Sequence, residues 1–406
     1  MHIGSERADS VNAVLSGVRV IDFGRYVAGP YCAALLADFG ADVIRIEKRE
    51  GSEDRFQLPL TQAQDGAMYM QINRNKRGMT LDPLKPQARE IVRRLVATAD
   101  VIVANLPAQT LAAMHIDYEA LKAVKPDIVL TMVTAYGRGG PYSERVGFDA
   151  VAQAMCGATY MTSKGEGEQP YRYFSPWVDF ATAIYCAYGT VLALMARQQT
   201  GRGQVVEGAL LGTALSVSNA LLIEQAVTQR NRKPTGNRSQ LGAPSDIFKT
   251  RDGWVVVAAI GQPLYVRWAK LMGESHWLTD PRFKDDASRA EHGAELCERM
   301  ARWCAMRSSD EVVETLARAM IPAAPVLGPQ QVLDDPHIRA LQFLQPTEYP
   351  GLPTPAPLAR PAVLLSETPG AILHRAPVLG EHTDSILAEL RFSEAEIRSF
   401  REAGAV

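Results

Sequence analysis

Two aspartates stand in company that acids usually avoid. Asp179 lies in SPWVDFATAIYCAYG, between Trp177-Val178 and Phe180-Ala181, and Asp149 in GFDAVAQAM precedes a run of small and apolar residues. A carboxylate at the head of an apolar helix can serve structure, because an N-cap acid accepts hydrogen bonds from the helix's orphan amides. It can also serve chemistry, since helix-terminal amides in a dry site hold a carboxylate ionised, as a carboxylate nucleophile requires. Residue type leaves both roles open for each acid.

Other chemistries find less support. The seven histidines show no HExxH or paired spacing, and no acidic loop has calcium-loop spacing, so no metal site is expected. A GxSxG elbow is also missing. Glu47 lies about twenty residues after the first turn, where a Rossmann fold places its ribose-binding acid. The turn itself, Gly24-Arg25-Tyr26-Val27-Ala28-Gly29-Pro30, is not GxGxxG, and Pro30 removes an amide that would face a pyrophosphate. A dinucleotide-dependent oxidoreductase is therefore disfavoured. Lys48 and Arg49 follow Glu47 directly; they suit a ligand with an extra ribose phosphate, such as NADP or coenzyme A, or form a solvated charge cluster.

The elements around these residues read as α/β. VRVIDF and ADVIRIE are apolar runs joined by the helical YCAALLADFG, with Pro30 in its first turn and Gly40 as its C-cap. Two such strands joined by a helix should be parallel. The pattern recurs in AREIVRRLVATAD to VIVANL and in LAAMHIDYEALKAVKPD to IVLTMVTAYG. A mostly apolar helix from Phe180 to Arg197, the turn TGRGQ, the strand-like VVEGAL and a further apolar helix through Leu222 complete this section. TQRNRKPTGNRSQLGAPSD is polar, basic and rich in turn formers, and DIFKTRDGWVVVAAI reads as a hairpin around Asp252-Gly253. SEAEIRSF has capping-box spacing from Ser393 to Glu396. The expected layout is a Rossmann-like parallel-sheet large domain over residues 1–224, a linker with a smaller α+β domain over 225–330, and a C-terminal segment, 331–406, returning to the large domain.

Composition excludes whole classes. With 406 residues, 47% hydrophobic and 22% charged, the chain is neither disordered nor fibrous. Lysine and arginine total 43 against 45 acids, a net charge of -2, so no global field draws nucleic acid or an anionic membrane. The five cysteines form no CxxC pair, which suits a reducing, cytoplasmic compartment. The N-terminal MHIGSERADS has no apolar core, and no run of 18 apolar residues occurs, so neither secretion nor membrane spanning is expected.

Five blocks taken together carry a resemblance: LSGVRVIDFGRYVAGPYCAALLADFGADVIRIEK, NRNKRGMTLD, GRGGPYSERVGFDAVAQAMCG, VDFATAIYCAYGTVLALMARQQTGRGQ and PVLGEHTDSIL. In order and over nearly the whole chain, they resemble the class III CoA-transferase family, the formyl-CoA transferase and carnitine CoA-transferase group, which also contains acyl-CoA racemases. The resemblance implies that Asp179 is the nucleophile and that coenzyme A and its thioesters are substrates, with no tightly bound cofactor. It assigns the coenzyme site to Val27, Ala28, Lys48, Leu81, Lys85, Asn105 and Leu106, and the pantetheine end to the stretch from Val146 through Phe148 to Asp149. It also implies an interlocked homodimer. Val27 replaces a glutamine of the formyl-CoA transferase, and the glycine-run lid is reduced to Gly261-Gln262, which disfavours an oxalate/formate specialist. Phe148 replaces the histidine of related racemases, which favours transfer over racemisation. Arg25, Arg138 and Arg172 are candidates to bind a second carboxylate, and surface positions are the alternative for each; such a site would point to succinyl-CoA as donor.

Overall fold

The computed structural model describes residues 13–406; the polar N-terminal stretch discussed above lies outside them. The chain divides into two compact units. One holds the residues through Cys156, Tyr173–Asn219 and Arg339–Val406; the other holds Gly157–Arg172 and Ala220–Ile338.

The first unit is built on a six-stranded sheet of β1 (Arg19–Asp22), β2 (Asp42–Glu47), β3 (Lys76–Thr80), β4 (Val101–Ala104), β5 (Val129–Thr134) and β6 (Val205–Ala209). Its order is β3-β2-β1-β4-β5-β6 and every neighbouring pair is parallel, the doubly wound arrangement that the strand–helix alternation implies. Every residue of β4, VIVA, is buried, as a strand covered on both faces requires. The crossovers carry α1 (Ala28–Ala37), α2 (Ala67–Ile72), α3 (Ala88–Thr98), α4 (Ala108–Ala113) and α5 (Tyr118–Val124); between β5 and β6 come α6 (Asp149–Met155) and α8 (Trp177–Thr200), with α7 (Ala158–Met161), which belongs to the second unit, between them in the chain. Helix α1 ends two residues earlier than its glycine suggests: the C-cap is Asp38, and Gly40 takes φ +99° just beyond it.

On one face Ile91, Val92 and Leu95 of α3 meet Ile21, Ile44 and Leu130 of the sheet. Ile386, Leu387, Leu390 and Phe392 complete the same core, so the C-terminal residues are integral to it. Leu387→Ala would cost about 2–5 kcal/mol. Near the chain's end, Ser393 and Glu396 form the capping box that their spacing suggests.

Two helices, α8 and α9 (Leu210–Thr228), are long and apolar enough to cross a membrane by length and composition, with mean hydropathy 1.5 and 1.3. Neither is an unbroken apolar run: mean hydropathy tolerates Asp179 and the threonines that interrupt the first. The longer helix packs against α1, β5 and β6 through one face, on which Val178, Ala183, Cys186 and Leu194 are buried.

The second unit has an antiparallel sheet of β7 (Ser245–Lys249), β8 (Trp254–Ala258) and β9 (Ala323–Pro325), in that order. Lys249 pairs with Trp254 across the Asp252-Gly253 turn. Helices α10 (Gln262–Leu271), α11 (Asp286–Glu291), α12 (Gly293–Ala305) and α13 (Ser309–Arg318) accompany it, and Phe248, Val255, Trp268, Phe283, Leu296 and Leu316 fill the core.

Candidate active site

A helix that leads into a parallel strand runs antiparallel to it, so α8 begins at the carboxyl edge of the sheet, where open α/β sheets bind ligands. Its N-cap residue is Pro176, which has no side-chain acceptor for the helix's first amides. Asp149, thirty residues earlier and in the first turn of α6, supplies one. Its Oδ1 accepts the backbone N–H of Val178 at 2.7 Å and of Asp179 at 3.2 Å. Gln153, one turn further along α6, donates from Nε2 to Asp149 Oδ2, and its Oε1 accepts the N–H of Tyr173 at 3.0 Å. The capping role that sequence offered to both acids thus falls to Asp149 alone.

Asp179 sits within the first turn of α8, half-buried, and no side-chain hydrogen bond or ion pair to its carboxylate is found among the described residues. Burial first, then the charge of Asp149, pushes its pKa up to about 7. The expectation that helix-end amides hold it ionised is therefore corrected, because those amides point at Asp149. Aromatic edges surround the pair: Tyr26 meets Phe148 at 5.1 Å between ring centroids, and Tyr31 of α1 meets Phe180 of α8 at 4.8 Å.

The remaining candidates follow the carboxyl ends of the parallel strands: Val27 and Ala28 after β1, Lys48 after β2, Leu81 and Lys85 after β3, Asn105 and Leu106 after β4, Val146 and Phe148 after β5. Their side chains differ in what they can reach. Val146 and Phe148 are exposed, Lys85 is exposed, and Lys48 is half exposed with its ammonium on Glu53. Val27 and Ala28 are buried at the start of α1. The Leu81 side chain is in the core, with no exposed surface, so only its backbone can meet a ligand; Leu106 packs partly against the same core. Asn105 is committed to the β1–α1 turn: its Oδ1 accepts Arg25 N–H at 2.6 Å and its Nδ2 donates to Arg25 C=O at 2.7 Å.

Glu47 is no ribose ligand. Buried, it accepts hydrogen bonds from Arg55 and from the Tyr69 hydroxyl. Sequence reasoning missed Tyr26, whose φ of +57° aims the turn, and Gln153; only the latter had a signal, four residues after an acid on a helix. Of the arginine candidates, Arg138 is an exposed partner of Glu207 and Arg172 is exposed, whereas Arg25 is buried.

The fold is a doubly wound α/β sheet, with a carboxyl that has no cation against it, among the described residues, at the sheet's carboxyl edge. The model of CoA-transferase family III matches residues 15–383, and the chain belongs to that family of enzymes. It is 32% identical over 380 residues to the succinyl-CoA–L-malate CoA-transferase beta subunit of Chloroflexus aurantiacus, covering 93% of this chain and 94% of that one. It is 30% identical over 393 residues to the succinate–glutarate CoA-transferase of Agrobacterium fabrum, covering 94% and 96%. The crystal structure of a CAIB/BAIF family protein from Brucella suis matches with a TM-score of 0.82 at 29% identity, over 94% of this chain and all of the other.

Proposed function

We propose that this CoA-transferase moves coenzyme A from an acyl-CoA, with succinyl-CoA the favoured donor, to a carboxylic acid through covalent intermediates on Asp179. The observation that carries the reading is the Asp179 carboxyl itself, half-buried beside Asp149 with no cation against it among the described residues, its pKa pushed up to about 7 by burial and that acid. Its carboxylate attacks the thioester carbonyl, giving an acyl-aspartyl anhydride and releasing CoA thiolate. The thiolate attacks the aspartyl carbonyl, which expels the donor acid and leaves an aspartyl-CoA thioester. The incoming carboxylate attacks that thioester to form a second anhydride, and the returning thiolate takes the acceptor's acyl group and frees Asp179. A serine would leave an ordinary ester, too stable to return its acyl group readily to a thiol. Acylation also removes the charge that burial and Asp149 disfavour, so the features that raise the pKa favour the covalent forms.

The names of the two relatives support dicarboxylic acids as substrates. The exposed cations Lys48 and Lys85 suit the phosphates of coenzyme A. Racemisation has no comparable support, since Phe148 has no proton to exchange. We infer an interlocked homodimer from the family resemblance. It is supported by apolar side chains left exposed on α8, Ile184, Tyr188 and Met195, and sedimentation as a micromolar monomer would overturn it. The five buried, unpaired cysteines suit a cytoplasmic setting.

The chemistry is tested by incubation with succinyl-CoA and then hydroxylamine, which should convert Asp179 to a hydroxamate detectable by peptide mass. Asp179→Ala should lower exchange on the order of 10⁴-fold or more. A folded alanine variant that still transfers CoA ends this reading.

A further inference from the structure

The buried arginines of the first unit are matched to acids, with one exception. Arg45 Nη2 reaches both oxygens of Asp54 at 2.9 Å, Arg55 holds Glu47 and Asp65, and Arg74 holds Asp38. Arg25, only 7% exposed, hydrogen-bonds to no carboxylate among the described residues. A single nitrogen, Nη1, makes all of its side-chain bonds, donating to the carbonyls of Phe23 at 3.1 Å, Gly24 at 2.8 Å and Ile46 at 3.1 Å. Those three carbonyls fix the guanidinium, and Asn105 fixes its backbone from both sides.

Nε and Nη2 make no hydrogen bond among the described residues, yet neither is among the fully buried polar atoms that lack one, so this edge is open. An open Nε–Nη2 edge is the fork that takes two oxygens of a carboxylate or phosphate. Its residue follows β1, beside β4, where the strand order reverses and ligands of doubly wound sheets bind. Burial, then the charge of Arg45, press on the Arg25 cation; the nearby acids Asp54, Asp22 and Glu53 offset this only in part, and an arriving anion would relieve the rest.

We propose that Arg25 is an oxyanion receptor of the active site, gripping one anionic group of the substrates through Nε and Nη2. That group is a phosphate of the coenzyme or the second carboxylate of a dicarboxylic acid. The inference rests on the CoA-transfer reading for its substrates, but binding is measured without turnover, so failure of the Asp179 chemistry leaves it separately testable.

Calorimetric titration of the intact Arg25→Gln protein distinguishes the two sources. If the group is a phosphate, CoA binding weakens about 10–100-fold while binding of pantetheine, which has no phosphate, is unchanged. If it is a carboxylate, CoA binding is unchanged, and the Kd for succinate rises by a similar factor until its preference over butyrate disappears. Arg25→Lys, with charge but no fork, should recover only part of either loss. A folded glutamine variant with neither change overturns the proposal. Should the variants fail to fold, phenylglyoxal modification of the wild-type protein decides. Arg25 should react, and either CoA or succinate should protect it, as read by peptide mass. Modification that neither ligand slows, or an Arg25 that never reacts, overturns the open fork.

Discussion

The first unit holds two groups of buried acids, and they are treated in opposite ways. Beneath β1, β2 and β3 every buried acid has a cation. Asp22 binds Lys76 at 2.8 Å and Arg45 at 3.5 Å; burial alone would raise its pKa, and the two cations bring it below the ordinary value. Glu47, fully buried with Arg55 and Arg45 near it, is likewise lowered against burial. Asp54, near Arg45 and Arg25, and Asp38, near Arg74 and Lys76, also have cations, but there burial wins and the pKa rises. At the head of α8, Asp179 has no cation among the described residues and a second acid instead, and it reaches about 7. The contrast is between acids with cations beside them and one without. Burial raises them all, so Asp179 is set apart by the charges around it.

The largest way to break this contrast is to remove a cation from the matched group. Arg45→Met strands Asp54 and deprives Asp22 and the Gly24 carbonyl of a donor. Stability should fall by about 3–5 kcal/mol in urea unfolding, as for any buried pair broken on one side. A loss below about 1 kcal/mol would mean that the matched group does not depend on its arginines.

The unmatched group responds in the opposite sense. Asp179 has a raised pKa in the folded protein, so the native state binds more protons than the unfolded chain from about pH 4 to about pH 7, and stability falls as pH rises through that window. Asp179→Asn should therefore be more stable than the wild type at pH 8, by about 1–3 kcal/mol, and nearly equal to it at pH 4. Melting temperatures of both proteins across that range check it, and parallel curves would show that Asp179 is not strained by its setting.

Asp149 tests the link between cap and charge. Asp149→Asn keeps an oxygen for the Val178 and Asp179 amides and removes the like charge, so the acid limb of kcat/KM should move to lower pH; its amide cannot accept from Gln153, and stability should fall by about 1–3 kcal/mol. Asp149→Ala removes the cap as well and should cost about 1–2 kcal/mol more. An unmoved acid limb in the asparagine variant would leave burial as the sole cause of the shift.

The parallel sheet was legible because VRVIDF, ADVIRIE and VIVANL are unbroken apolar runs separated by helices, a pattern few folds satisfy. Asp179 was legible as an acid in apolar company. Its role was not separable from that of Asp149, because the bond that distinguishes them joins residues thirty positions apart. The same limit hid the fate of Glu47, which sequence offered to a ribose and which Arg55 and Tyr69 occupy, and that of Leu81, whose burial depends on packing around it. Arg45 within the run VIRIE did mark a buried charge, but its partners, Asp22 and Asp54, lie on separate segments.

The smallest expected effect separates the two kinds of cation along the carboxyl edge. Lys48 and its partner Glu53 are both about half exposed, with side-chain exposures of 49% and 44%, and such pairs contribute little. Lys48→Ala should change stability by less than about 0.5 kcal/mol. If Lys48 attracts a phosphate, it does so through solvent, so the loss of CoA affinity should be clear at roughly 20 mM salt and nearly absent at roughly 500 mM. Arg25, held inside the protein by three carbonyls, is shielded from mobile ions, and its variant should lose affinity for its anion at both salt concentrations. An effect of Lys48→Ala that ignores salt would place its ammonium in direct, desolvated contact with the ligand, and the distinction between an exposed steering charge and a built receptor would fail.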